Sequence, residues 1–287
     1  MTTYAVTAAT GQLGRLVVDA LLERGVTPSD VVAVVRTPAK ADDLAARGVV
    51  VRAGDYSDRA SLDGALAGVD RLLLVSGSEV GQRVAQHANV VEAAQAAGVG
   101  RLVYTSLLRA DTSTSPLAPE HRATEQAIAD SGLPHVLLRN GWYYENYTAS
   151  LGQYLATGEV LGATHDGRIG GASRADFAAA AAAALLADDE GEGVHELAGE
   201  TFTLTDLAAT ITEVTGTTVV SRDVTGEEYR RTLEGHGLDA GTAGFVAALD
   251  ASIAAGDLHT DRTDLAALLG RPASTLREAV DAAHRAA

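Results

Sequence analysis

Residues 4–14, YAVTAATGQLG, constrain what this chain can fold into more than any other stretch. An apolar run over residues 4–7 ends in a turn of small residues, and an amphipathic helical pattern runs from 13 to 22. A strand, a glycine turn and a helix N-terminus make an anion site, because free backbone N–H groups and the helix dipole point the same way. Gly11 admits backbone close to a phosphate, and Gly14 lets the helix lie against the sheet. Thr10, Gly11, Gln12, Leu13 and Gly14 are therefore candidate cofactor-binding residues. Helix packing alone also uses such glycines; their place directly after a first strand favours a dinucleotide.

Downstream, strand and helix patterns alternate. Strands are predicted at 31–35, 49–52, 72–75, 102–105 and 136–139, and helices at 39–47, 61–66, 80–97 and 119–130. Such alternation predicts an α/β fold, a doubly wound parallel sheet with ligands at the carboxyl ends of its strands. Glycine and aromatic residues crowd 141–171. Beyond them helices are predicted at 174–186, 205–214 (capped by Thr205), 226–234, 242–255, 263–269 and 274–286, with short strands at 195–197 and 219–222. Residues 1–140 are expected to form the cofactor-binding domain, and 141–287 mostly a smaller, mainly helical substrate lobe. Some later segments are expected to return to the sheet.

Composition excludes several classes. A net charge of −16 argues against nucleic acid as a partner. The chain has no cysteine, hence no disulfide and no thiolate metal site. No apolar run approaches the ~20 residues of a membrane helix, and no leader pattern precedes the first strand. A cytoplasmic protein with neither membrane nor metal is expected. The helix predicted at 80–97 is read first as a cover for the sheet, with a homodimer through it as the alternative.

The strand ends supply the remaining candidates. Arg36 follows the second strand, where an acidic residue would hold a ribose 2′-hydroxyl and an arginine accommodates a 2′-phosphate. Lys40, the only lysine among 22 basic residues, adds a second charge nearby. Asp55 can accept from an adenine amino group and Tyr56 can stack beside it, although a plain turn suits Gly54-Asp55 equally. Ser76, Gly77 and Ser78 sit where a cofactor ribose passes; a helix N-cap is the competing reading. Thr105 and Ser106 end the fifth strand. His121 and Glu125, four apart on the next helix, read first as a structural pair.

The stretch 138–147, LRNGWYYENY, holds four of the chain's twelve Tyr, Trp and Phe residues. Rings beside a nicotinamide suit a flat aromatic substrate, and Asn140 and Asn146 can hydrogen-bond an oxygen or an amide. An aromatic plug between lobes is the alternative.

These stretches resemble the NmrA-like atypical short-chain dehydrogenases, and most closely the type 2 NADPH-dependent quinone oxidoreductases. The matching segments are ATGQLG (9–14), VAVVRTPAKA (32–41), SEVGQR (78–83), YTSLLRADTS (104–113), LLRNGWYYENY (137–147), SRADFAAAAA (173–182) and VHELAG (194–199). The resemblance implies a Rossmann-type domain, and NADP(H) in preference to NAD(H), held across 10–14, Arg36, 76–78 and Asn140, Gly141, Trp142 and Tyr143. It also implies quinone reduction without a flavin, and places Arg174 near the substrate lobe. The family opens its turn with Gly-Ala-Thr-Gly; here Ala8 stands for the first glycine, which costs about 1 kcal/mol if that residue has φ > 0.

Many short-chain dehydrogenases pair a tyrosine with a lysine four residues on, and this chain has no such pair. Reducing an alkyl ketone generates an alkoxide and needs a positioned acid. Reducing a quinone generates a phenolate-like oxygen, whose conjugate acid resembles tyrosine at about 10. A quinone therefore suits the residues present, with Asn140, Tyr143 and Asn146 as the catalytic candidates that orient it. Two rivals are a non-catalytic NmrA-like redox sensor, which binds NADP(H) and a protein partner, and an isomerase or aryl-ether reductase of the same superfamily.

Overall fold

The structure, a computed structural model, describes residues 2–188, 193–262 and 264–286. Its elements are β1 (Tyr4–Thr7), α1 (Gln12–Glu23), β2 (Val31–Val35), α2 (Asp42–Ala46), β3 (Val50–Ala53), α3 (Arg59–Leu66), β4 (Arg71–Leu74), α4 (Arg83–Ala97), β5 (Arg101–Leu107), α5 (Ala118–Asp130), β6 (His135–Asn140), β7 (Trp142–Tyr143), α6 (Glu145–Thr148), α7 (Leu151–Thr157), β8 (Glu159–Gly162), β9 (Ile169–Ala172), α8 (Arg174–Leu186), β10 (Gly193–Leu197), β11 (Thr201–Phe202), α9 (Leu204–Thr215), β12 (Val220–Asp223), α10 (Gly226–Gly235), α11 (Ala240–Ala254), α12 (Asp264–Leu269) and α13 (Leu276–Ala286). They divide into two compact units, one of Met1–Leu107, Glu120–Asn140 and Arg174–His195, the other of Leu108–Pro119, Gly141–Ser173 and Glu196–Ala287.

The first unit is built on a seven-stranded sheet of order β10-β6-β5-β4-β1-β2-β3. β1 to β6 pair in parallel throughout. β2, VVAVV, is buried at every position, as a strand covered on both faces must be. Ala5, Val34, Leu72, Leu74, Leu102 and Tyr104 share one face and pack with Leu62 and Leu66 of α3, Val90 and Ala94 of α4 and Ile128 of α5. α8 packs on α1 and on β4 and β5. The doubly wound parallel sheet is thus as expected. Strand order reverses between β1 and β4, which makes the carboxyl ends of those two strands the topological switch point.

The second unit contains two small sheets, β11-β9-β7 and β12-β8, beside its helices. The sequence reading gave 141–171 no strands, because β9, IGGA, has no side-chain alternation to read. Its glycines exist for close approach: a Cβ on Gly171 lies 2.5 Å from the Tyr144 ring and 2.7 Å from the Phe202 ring. Gly141 is equally constrained, with Gly170 O 2.3 Å from where its Cβ would stand.

Three other expectations need correction. The helix predicted at 39–47 is a 3-10 turn, Pro38–Ala41, followed by the short α2. α4 starts at Arg83, because Gly81 holds φ 87° in the preceding turn. α9 is capped by Thr203, not Thr205: the Thr203 hydroxyl accepts from Asp206 N, and Asp206 Oδ2 accepts from Thr203 N at 2.9 Å, a reciprocal capping box. Thr263, at the start of a predicted helix, lies outside the described residues.

Candidate functional site

The turn after β1 has the shape an anion needs. Ala8 adopts φ 48°, so alanine occupies a left-handed conformation that glycine fills without strain. Gly11 N–H donates to Ala8 O at 2.8 Å and closes the turn. Gly11 is also the N-cap of α1, and no side chain caps that helix. Its first-turn N–H groups, on Gln12, Leu13 and Gly14, have no i−4 carbonyl to meet. A Cβ on Gly14 would stand 2.4 Å from Ala8 O, so only glycine lets α1 start this close to the turn. This bare cradle at the switch point fits a dinucleotide pyrophosphate.

Arg36 and Lys40 are exposed beyond β2, and Arg36 Nη1 meets Glu79 Oε1 at 3.3 Å. The residues after β3 are more constrained than the sequence suggested. Asp55 Oδ1 accepts from Ser57 N at 2.9 Å, a turn closed on itself. The Tyr56 hydroxyl reaches the Thr7 hydroxyl and donates to Val75 O at 2.8 Å, with its ring edge-on to His87. Burial holds the Tyr56 phenol well above its ordinary pKa. Tyr56 therefore braces β1 against the end of β4, and its half-buried ring packs against the core.

The ends of β4 and β5 come together as expected. Ser76 N–H donates to Thr105 Oγ1 at 2.8 Å, and Gly77 N–H to His87 Nε2 at 3.0 Å. Ser78 is exposed, and the N-cap of α4 is Gln82, so the capping role weighed for 76–78 does not occur. Ser106 Oγ donates to Glu125 Oε1 at 2.5 Å, and Arg139 grips the same carboxylate at 3.0 and 2.7 Å. His121 bonds the buried Tyr104 hydroxyl at 2.8 Å. Burial, aided by the Arg83 charge, lowers His87 and His121 to about 3, so both rings are neutral. His121 and Glu125 thus have separate partners. Single residue types had not indicated these networks, nor the pairing of Glu79 with Arg36.

Asn140 closes β6. It is 5% exposed, and its Oδ1 has no hydrogen-bond partner. A buried amide oxygen left bare on a strand end of this sheet is set to accept from a ligand. The Gly141 N–H donates to Leu197 O at 2.7 Å. Trp142 and Tyr143 form β7 in the second unit, paired with Gly171 and Ala172. Tyr144 is fully buried against Phe202, and Tyr147 meets the same ring edge-on. The aromatic cluster therefore splits: Tyr144 is core, while Trp142 and Tyr143 are half-buried. Asn146 is exposed on α6, and Arg174 opens α8.

A glycine turn under an uncapped helix, at the switch point of a β3-β2-β1-β4-β5-β6 parallel sheet, defines a dinucleotide-binding protein of the Rossmann type. The chain belongs to the NAD(P)H-binding family, whose profile matches residues 8–188, and within it to the NmrA-like group. It is 49% identical to quinone oxidoreductase 2 of Escherichia coli over 96% of both chains. It is 32% identical to an NmrA-like family domain-containing oxidoreductase of Aspergillus flavus, over 96% of this chain and 93% of that one. Among solved structures, the NADPH-dependent quinone oxidoreductase of Escherichia coli complexed with NADPH superposes with a TM-score of 0.95 at 48% identity, covering 98% of this chain and 99% of the other. Among the described residues no helix is long and apolar enough to cross a membrane.

Proposed function

We propose that this protein is an NADPH-dependent quinone oxidoreductase. The observation that carries the reading is the full-length similarity to quinone oxidoreductase 2; the redox-sensor reading finds no support in the relatives above. Bound NADPH supplies the hydride, and no flavin is needed.

The chain's residues hold and orient. The N–H groups of Gln12, Leu13 and Gly14 take the pyrophosphate, with Thr10 and Gly11 shaping the turn. Arg36 and Lys40 take the 2′-phosphate, Ser76 and Thr105 flank the ribose, and Asn140 Oδ1 accepts from the carboxamide. Asp55 keeps one carboxylate oxygen outside its turn for the adenine side. Trp142, Tyr143 and Asn146 orient a flat quinone-like acceptor, and positioning is their catalytic contribution.

Ser106 has its proton committed to Glu125, and the Tyr104 hydroxyl is buried against His121. Neither is arranged to protonate an alkoxide. The phenolate-like oxygen formed when a quinone accepts a hydride needs no such acid and takes its proton from water. The same reading places the protein in the cytoplasm, where NADPH is regenerated. Mixing protein, NADPH and a small benzoquinone in a stopped-flow cell tests the proposal: protein-dependent loss of NADPH absorbance is expected, and its absence at saturating quinone rejects turnover.

A further inference from the structure

Among the described residues Arg36 meets one acid, Glu79, and that acid is held from behind. Glu79 Oε1 faces Arg36 Nη1 at 3.3 Å, while Glu79 Oε2 accepts from Gln86 Nε2 at 3.0 Å. Gln86 is 8% exposed on α4, so it presents a fixed donor. The turn that carries Glu79 is fastened on both sides. Arg83 Nε donates to Gly77 O and Arg83 Nη1 to Glu120 Oε2, each at 2.9 Å; Gly81 N–H donates to Glu120 Oε1 at 2.8 Å. Arg83 is buried and Glu120 largely covered, with 5% and 14% of their side chains exposed. Glu79 is therefore a surface carboxylate, 46% exposed, whose position is fixed by Gln86 from behind. It lies against a guanidinium whose planar fork suits a phosphate equally well.

We propose that Glu79 is a specificity-determining residue: an internal anion that occupies Arg36 and competes with the 2′-phosphate of NADPH for it. The inference rests on the reading of Arg36 as the 2′-phosphate ligand. NADPH has to displace Glu79, or share the guanidinium with it at the cost of placing two negative groups side by side. NADH has no such phosphate and leaves the pair intact. Glu79 thus narrows the margin by which the protein prefers NADPH.

The test is a fluorescence titration of NADPH and NADH against wild type, Glu79→Gln, Arg36→Ala and the double variant at one moderate ionic strength. Glutamine keeps the oxygen that Gln86 donates to and removes only the charge. Glu79→Gln is expected to tighten NADPH about two- to fivefold, the range an exposed ion pair is worth, with NADH unchanged. In the Arg36→Ala background the same substitution is expected to change NADPH affinity by less than about 1.5-fold. Unaltered or weaker NADPH binding by Glu79→Gln overturns the proposal. So does a gain that persists in full without Arg36, since that marks general repulsion. If Arg36→Ala alone leaves NADPH affinity unchanged, it is the phosphate reading of Arg36 that fails, and the proposal falls with it.

Discussion

Ser106 gives its hydroxyl proton to Glu125, at 2.5 Å, and Arg139 holds the far side of that carboxylate. All three are buried, and together they join β5, α5 and β6 near the carboxyl ends of the two strands. An inward-turned serine, in a chain without the tyrosine–lysine pair, fits an acceptor whose reduced oxygen is already a weak base. The network also fixes the residue before Asn140.

Removing one charge of that pair strands the other in the core. Arg139→Met is expected to destabilise the protein by about 3–5 kcal/mol in urea unfolding, and the double variant Glu125→Leu/Arg139→Met by less. Additive losses in the double variant would show that the two groups do not act as a pair.

Asn140→Leu has opposed effects on folding and on function. It deletes an unpartnered buried oxygen, so thermal stability is expected to hold or rise by up to about 1 kcal/mol. NADPH-dependent turnover is expected to fall about tenfold, because the bound cofactor loses an acceptor. A fall in both together points to a packing role instead.

Ala8→Gly relieves the left-handed alanine, less the entropy glycine gains when unfolded. A net gain of up to about 1 kcal/mol, a rise of about 2–4 °C in melting temperature, is expected. Gly14→Ala drives a methyl into Ala8 O. It is expected to weaken NADPH binding at least tenfold, about 1.4 kcal/mol, by titration, and unchanged binding would show that the turn is not the pyrophosphate site.

His87 and His121 are neutral when folded, at about 3 against an ordinary 6.5, mainly through burial. The unfolded chain binds their protons first, so stability falls as pH drops from about 6.5 towards 3. Between pH 6 and 5 the two remove on the order of 2 kcal/mol. Asp250, raised to about 6 mainly by burial, gains its proton in the folded state over the same span and offsets about half of that. His87→Gln preserves the acceptor for Gly77 N–H and is expected to flatten the fall in melting temperature with acid; an unaltered slope would remove His87 from this account.

Much of this was legible in the sequence because backbone geometry writes itself into residue type. β2 reads as five consecutive buried residues, and the glycine turn after β1 marks where α1 begins. β12 was legible at 219–222, but its sheet partner β8 and the strands β7 and β9 were not, β9 because it is half glycine. The reach of the Tyr56 hydroxyl to Thr7 and Val75 was not legible, because only the fold brings the ends of β1 and β4 beside it. The Ser106, Glu125 and Arg139 cluster joins positions up to 33 apart in the chain, with no local pattern to connect them.

The return of α8 and β10 to the first unit sets a limit on dissection. A fragment cut after Asn140 would bare the flank of β6 where β10 belongs and expose the surface of α1 that α8 covers. Chimeras that exchange the second unit between relatives have to trade Gly141–Ser173 and Glu196–Ala287 while keeping Arg174–His195, because a single crossover after Asn140 also replaces part of the first unit.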